Sequence, residues 1–304
     1  MGLATGPAMA GVTVNGYLDD WGISYNGNGT VNYSGINGSA QPNPAAGYGG
    51  VVGGATVNGF SYQYHIEDQN VWAGRNGQLG PNQGGQEYDA EFLGAGVDGT
   101  NFVIAILTGQ RPDNGFSDFS PGDVRIQTSA GLFGVEVGGG KGSKYRTSGE
   151  ITEGNAGTTY EIVQNNGSTE GYDNHGTGQV AGSIWKNATW SSDPIASPDP
   201  DIQPQLTGGE LLDGLADLSF LWKKDSKHAV IEIAFSLDFF GGANILGVEW
   251  APGCGNDIVS VYFPTGGIPS NSNPTVPEPT SLALLGLGGL GTLVGGRRRL
   301  AKRA

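Results

Sequence analysis

Apolar and polar residues alternate over short stretches through most of the chain, and glycine, asparagine, aspartate or proline separates these stretches. The segment FSYQYHIE places the apolar positions of residues 60–66 on one face of a predicted strand, and AVIEIAFSL alternates in the same way. TNFVIAILTG is almost continuously apolar, as expected of a strand that is buried on both faces. The pattern predicts an all-β fold, an antiparallel, jelly-roll-like β-sandwich with long loops rich in glycine and asparagine.

The best candidate for a helix inside this region is GGELLDGLADLSFLW. It is interrupted by Gly214 and then becomes strand-like, so it predicts at most one short turn of helix.

The two ends of the chain differ from this central region. TGGIPSNSNPTVPEP has no core-forming residues, so we expect the sandwich to occupy residues 12–264 and a linker to occupy 265–280. Near the other end, Ala8-Met9-Ala10 has the small-residue pattern that precedes signal-peptidase cleavage, although no long apolar run comes before it. We therefore expect residues 1–11 to be the remnant of a signal peptide or disordered.

Charge is distributed very unevenly along the chain. Five of the 15 Lys and Arg residues lie in the last eight positions, which leaves ten against all 29 acids in the preceding 296 residues. So acidic a body repels phosphate backbones, which argues against a nucleic acid partner.

The C-terminal segment EPTSLALLGLGGLGTLVGGRRRLAKRA contains the spacing G-x-G-x-x-G. A dinucleotide site is excluded, because the glycines follow a Pro-rich linker and no acidic residue comes after them. The 16 uncharged residues 281–296 form a helix of about 24 Å if helical, slightly short of a bilayer core of about 30 Å. We predict an apolar helix of transmembrane type here, followed by a basic cytoplasmic tail at 297–304.

These features occur in a specific order. A P-E-P motif at Pro277, Glu278 and Pro279 precedes the apolar segment, and the cluster Arg297, Arg298 and Arg299 follows it. This order resembles the PEP-CTERM sorting signal of exported bacterial proteins.

The resemblance implies several properties of the whole protein. The tail would be recognised and removed by an exosortase, a membrane protease, after transient insertion in the inner membrane. The mature protein would then reach the cell surface or the extracellular matrix of a bacterium that makes exopolysaccharide.

A second resemblance lies in VTVNGYLDDWGI, where Gly16, Leu18 and Trp21 follow a Gly-x-Leu-x-x-Trp pattern. This segment, together with residues 84–113, is similar to family 9 carbohydrate-binding-like and DOMON-like β-sandwich domains. The resemblance implies a ligand in a loop-lined cleft, a sugar in some members and haem in others.

Metal and haem ligands are scarce. The three histidines form no spacing typical of zinc or haem sites, so neither group is favoured. Calcium is the candidate cofactor, because acidic residues that offer oxygen ligands lie near Gly-rich turns. These residues are Asp19, Asp20, Glu87, Asp89 and Glu91. The alternative is that Glu87, Asp89 and Glu91 simply form a solvated face of one strand.

Trp185 and Trp190 lie among polar residues beside a Pro-rich loop, which makes them candidate exposed rings for stacking on sugar. No catalytic motif of a serine hydrolase occurs, and 29 acids alone do not identify a glycosidase pair. We therefore expect a non-catalytic surface or matrix protein, with polysaccharide as a candidate ligand. The alternatives are a secreted polysaccharide-active enzyme and a purely structural matrix component.

Overall fold

A computed structural model describes residues 11–25, 31–36, 50–67, 88–112, 121–139, 146–149, 158–164, 177–191, 202–223, 226–255 and 257–270. The chain divides into two compact units, Met1–Ser270 and Asn271–Ala304, and the second lies outside the described residues. In chain order the strands are β1 (Ser24–Tyr25), β2 (Val31–Asn32), β3 (Val51–Val57), β4 (Phe60–Ile66), β5 (Ala90–Asp98), β6 (Asn101–Thr108), β7 (Val124–Thr128), β8 (Gly131–Val135), β9 (Arg146–Gly149), β10 (Thr158–Gln164), β11 (Ser183–Ser191), β12 (Gln205–Leu215), β13 (Asp217–Trp222), β14 (Ala229–Ser236), β15 (Ile245–Trp250) and β16 (Val259–Tyr262).

All strand pairs are antiparallel. One sheet has eight strands in the order β3-β4-β5-β6-β14-β13-β10-β9, and the other has six in the order β12-β11-β8-β7-β15-β16. Strands β1 and β2 form a separate small pair. Short 3-10 helices in the described part of the chain include Asp19–Trp21 and Leu237–Phe240.

The main core lies between the two large sheets. Alternate residues of β6 and β14, such as Phe102, Ile104 and Ile231, pack against Ile126 of β7 and Val248 of β15. A layer of this kind, in which two antiparallel sheets bury their facing side chains, is a β-sandwich. The predicted all-β sandwich is confirmed at this level, whereas the jelly-roll connectivity stays a prediction.

A second core covers the opposite face of the eight-stranded sheet. The N-terminal segment contributes Leu18, Trp21 and Tyr33 to it, and these pack on Val103 and Leu107 of β6. Strand β6 is therefore buried on both faces, as its continuous apolar sequence predicted. The N-terminal segment forms a third layer, which the sequence pattern did not predict.

The stretch GGELLDGLADLSFLW forms strands β12 and β13 with only Ala216 between them, in agreement with the limit of at most one helical turn. Beyond Pro264, Ile268 pairs with Ile245 and Ser270 is buried within the compact unit Met1–Ser270. The expected boundaries of the sandwich and the linker stay predictions.

Among the described residues no helix is long and apolar enough to cross a membrane. The predicted apolar helix at 281–296 lies outside the described residues.

Candidate functional site

The Gly-x-Leu-x-x-Trp segment is held by one buried carboxylate. Glu232 of β14 accepts hydrogen bonds from the backbone N–H groups of Asn15 and Gly16, at 2.8 and 2.7 Å. Its other oxygen accepts a hydrogen bond from the Trp21 indole N–H at 3.1 Å. Burial raises the pKa of Glu232 to about 7, although the hydrogen bonds from these three donors favour the charged form.

The three residues of this motif have structural roles. Gly16 has φ of +77°, and a Cβ atom there would lie 2.6 Å from Cβ of Leu221. Leu18 is buried, and the Trp21 ring meets those of Phe60 and Tyr62 edge-on at centroid distances of 5.1 and 4.9 Å. Among the described residues the motif packs the N-terminal layer onto the eight-stranded sheet.

Three buried carboxylates meet where β4 ends and where β5 and β16 begin. One oxygen each of Glu67, Asp89 and Asp257 lies within 4.8 Å of the others, and each side chain is at most 4% exposed. Asp257 also accepts a hydrogen bond from the backbone N–H of Ala90 at 2.7 Å, which ties the two large sheets together. Burial raises the pKa of Asp257 to about 6. Oxygen ligands from three segments are a donor set that suits Ca²⁺.

Glu91 lies beside this cluster and contacts a histidine. Its Oε1 is 2.7 Å from Nδ1 of His228, and both side chains are buried. The pairing of β5 with β6 is irregular between Ala90 and Phe92, so Asp89 and Glu91 do not share one regular strand face. The solvated-face alternative is therefore wrong for Asp89 and Glu91, and Glu87 lies outside the described residues.

The remaining calcium candidates lie elsewhere. Asp19 and Asp20 form the first 3-10 helix, and Asp20 accepts a hydrogen bond from the backbone N–H of Thr13 at 2.9 Å. The described residues contain no group of three ligating side chains that includes either of them. Sequence reasoning missed Glu67 and Asp257, because no local motif links residues that only the folded topology brings together.

The two candidate tryptophans occupy the outer face of the six-stranded sheet. Trp185 is only 8% exposed and its indole N–H donates to Oε1 of Glu136 at 3.1 Å, so its expected exposure is wrong. Trp190 is half-buried and packs with Trp185 and Leu206. Of the pair, Trp190 keeps a surface that a ligand can reach.

A separate cleft of about 370 Å³ lies between the β3–β4 hairpin, β5 and the chain that follows β16. Its lining consists of Gly54, Ala55, Thr56, Ser61, Tyr62, Gln63, Ala95, Gly96, Phe263, Pro264 and Ile268. These described residues include no carboxylate, so the cleft lacks the paired acids that glycoside hydrolysis requires.

One histidine and the cysteine of the chain lie in structural surroundings. His65 accepts a hydrogen bond at Nδ1 from the backbone N–H of Ser260 at 3.0 Å, which links β4 to the edge strand β16. Cys254 is fully buried.

Comparison with known proteins identifies the C-terminal segment. Residues 275–299 match the family model of the PEP-CTERM protein-sorting motif. The tail is a sorting signal. This confirms the resemblance to the PEP-CTERM signal. The roles predicted for the P-E-P motif, the apolar segment and the arginine cluster stay predictions, and all three lie outside the described residues. The motif indicates export, processing by an exosortase and a surface or extracellular location.

Comparison with known proteins gives no similar support for the part of the chain that precedes the sorting motif. No curated protein and no solved structure matches the chain. The resemblance of residues 12–23 and 84–113 to carbohydrate-binding-like and DOMON-like domains is therefore unsupported.

Proposed function

We propose that this protein is a non-catalytic component of the cell surface or extracellular matrix, and that its β-sandwich binds polysaccharide after the tail has been removed. The observation that carries the proposal is the sorting motif at residues 275–299, which indicates export and exosortase processing.

The tail acts in three steps in this proposal. Residues 282–296 insert transiently into the inner membrane, and the arginines at 297–299 hold the C-terminus on the cytoplasmic side, because positively charged flanks resist translocation. The exosortase then cleaves near Pro277-Glu278-Pro279 and releases the body outside.

The hydrogen bonds of the buried acidic side chains support a binding function rather than a catalytic one. The buried carboxylates of Asp123 and Glu232 accept backbone N–H groups that fix neighbouring segments, at distances of 2.7 to 3.0 Å. Carboxylates engaged in this way are not available to a sugar. Among the described residues, the lining of the 370 Å³ cleft contains no carboxylate, which gives no support to the rival function of a polysaccharide-active enzyme.

Sorting is tested by expressing the full chain, with an export leader, in hosts with and without an exosortase. The mature mass should show a C-terminal loss near Pro277 only where the exosortase is present. Replacing Pro277 and Pro279 with alanine should prevent this loss, whereas the control Pro274→Ala, upstream of the matched segment, should not. An unchanged mass in the exosortase-bearing host would contradict the proposal.

A bound calcium ion is the second candidate function, and the cluster of Glu67, Asp89 and Asp257 favours it. Three like charges within 4.8 Å in a buried place repel one another unless they share protons or bind a cation. In this proposal the ion has a structural role, since Asp257 connects the six-stranded sheet to Ala90 of the eight-stranded sheet.

A further inference from the structure

The outer face of the six-stranded sheet carries two aromatic rings above glycines. Tyr262 of β16 is 58% exposed, and its ring fills the space that a side chain at Gly247 would need, since a Cβ there would lie 2.7 Å from Cδ1 of Tyr262. Over Gly134 of β8 the buried Leu206 lies nearest, with Cδ1 at 2.8 Å from the position of such a Cβ, and Cζ2 of Trp190 lies beside it at 3.1 Å. Both rings therefore lie close to the strands, so the surface of the sheet is nearly flat at these positions.

The exposed tyrosine is held in one orientation. Its hydroxyl donates to Oε1 of Glu249 at 2.6 Å, and Oε2 of Glu249 lies 3.6 Å from a guanidinium nitrogen of Arg125. An exposed ring that is already oriented loses less conformational entropy when it binds a ligand. The contact with Glu249 also means that Arg125 presents little net positive charge.

A polar strip separates the two rings. Gly134 of β8 pairs with Arg125 of β7, which pairs in turn with Glu249 of β15. Gly134 and Glu249 are thus two strand spacings apart, about 10 Å. Gln127 of β7 is exposed on the same face. The face therefore offers a ring at each side and hydrogen-bonding groups between them.

We propose that this face, defined by Trp190, Arg125, Gln127, Glu249 and Tyr262, is the polysaccharide-binding surface of the protein and that it selects an uncharged chain. The inference rests on the proposed function and assigns its polysaccharide binding to this face of the six-stranded sheet. Sugar rings stack their C–H faces on aromatic rings, and their hydroxyls exchange hydrogen bonds with the amide, carboxylate and guanidinium groups of the strip.

The negative charge of the protein favours an uncharged polysaccharide over an anionic one. The residues before position 297 contain 29 acids against ten bases, so the body repels an anionic polysaccharide over long distances. Within the face the positive charge of Arg125 is balanced by Glu249, so no local cationic patch offsets this repulsion.

Affinity electrophoresis of the full chain tests the proposal, in gels that contain hydroxyethyl cellulose, galactomannan or dextran, with anionic alginate as a fourth gel. We expect retardation in at least one neutral gel. Tyr262→Ala and Trp190→Ala should each weaken it about tenfold, the usual size of one lost aromatic contact. Tyr262→Phe should keep most of the affinity, since it retains the ring. Tyr17→Ala is the matched control, because Tyr17 is also exposed but lies in the N-terminal layer.

The outcomes separate this inference from the proposed function. Equal retardation of all variants in a neutral gel would overturn the face as the site and leave polysaccharide binding in place. Retardation by alginate alone would overturn the choice of an uncharged chain. No retardation in any gel would overturn both the face and polysaccharide binding, whereas exosortase sorting is tested independently by the mass of the mature protein.

Discussion

The outward faces of the two large sheets differ in what packs against them. The outer face of the eight-stranded sheet carries Val103 and Leu107 and is covered by the N-terminal layer. The outer face of the six-stranded sheet carries a small apolar cluster of Trp185, Ala188 and Leu206, and beside it the part-exposed side chains of Arg125 and Glu249, for which we call it the open face. On the covered face the buried carboxylate of Glu232 is fixed by three N–H donors. In our proposal the covered face provides stability and the open face binds the ligand.

The largest predicted effect is removal of the ring that anchors the covering layer. Trp21→Ala should lower the free energy of unfolding by about 3–5 kcal/mol, because it leaves a cavity beside Phe60 and Tyr62 and removes a donor to Glu232. Trp190→Ala, which removes the same side chain from the open face, should cost clearly less. Urea unfolding of the full chain measures both losses, and equal losses would contradict the division of roles between the two faces.

The next effect concerns the charge of Glu232. Its pKa is raised to about 7 in the folded protein from an ordinary value near 4.5, so the folded state holds an extra proton between these values. Stability should therefore fall as the pH rises from about 4.5 to 7, by an amount on the order of 3 kcal/mol. Glu232→Gln should remove the part of the pH dependence that comes from this carboxyl group.

The matched control is Glu249→Gln on the open face, which should keep the pH dependence of the wild type. Asp257, whose pKa is also raised, contributes in the same direction in both variants, so the difference between them isolates Glu232. Identical pH profiles for the two variants would show that folding leaves the pKa of Glu232 unchanged, which would contradict the prediction.

A smaller effect is expected from calcium at the boundary between the sheets. At a free concentration ten times the dissociation constant, the ion should stabilise the full chain by about 1.4 kcal/mol, seen as a higher melting temperature that EGTA reverses. Asp257→Asn should abolish this response, because Asp257 is one of the three clustered carboxylates. Asp20→Asn, in the exposed 3-10 helix, should retain it. A melting temperature insensitive to calcium would favour shared protons within the cluster.

The layered fold was only partly predictable from the sequence. Alternation predicted β4 and β14, and the continuous apolar run of β6 indicated burial on both faces. What covers the second face was not predictable, because the contact between Trp21 and Glu232 spans most of the chain. The short-range spacing of Gly16, Leu18 and Trp21 indicated a structured segment but not its role as a cover.

The candidate sites, like the fold, were predictable only where their residues lie close together in the sequence. Asp89 was predictable as an acidic residue beside a strand, but its neighbours Glu67 and Asp257 come from other segments of the chain. The exposed ring of Tyr262 was missed because it belongs to a strand that reads as ordinary alternation. The tail was predictable because its signal is contiguous in sequence and does not depend on tertiary contacts.

The smallest predicted effect is the loss of the contact that orients Tyr262. Glu249 accepts a hydrogen bond from the phenol and raises its pKa, so Glu249→Gln should lower the pKa of Tyr262. The same change should alter the free energy of unfolding by no more than about 0.5 kcal/mol, since both groups are on the surface. NMR of ¹³C-labelled tyrosine, with the signal assigned through Tyr262→Phe, measures the titration. If the pKa were unchanged, Glu249 would not hold the ring, and the open face would lack the fixed aromatic surface that distinguishes it from the covered one.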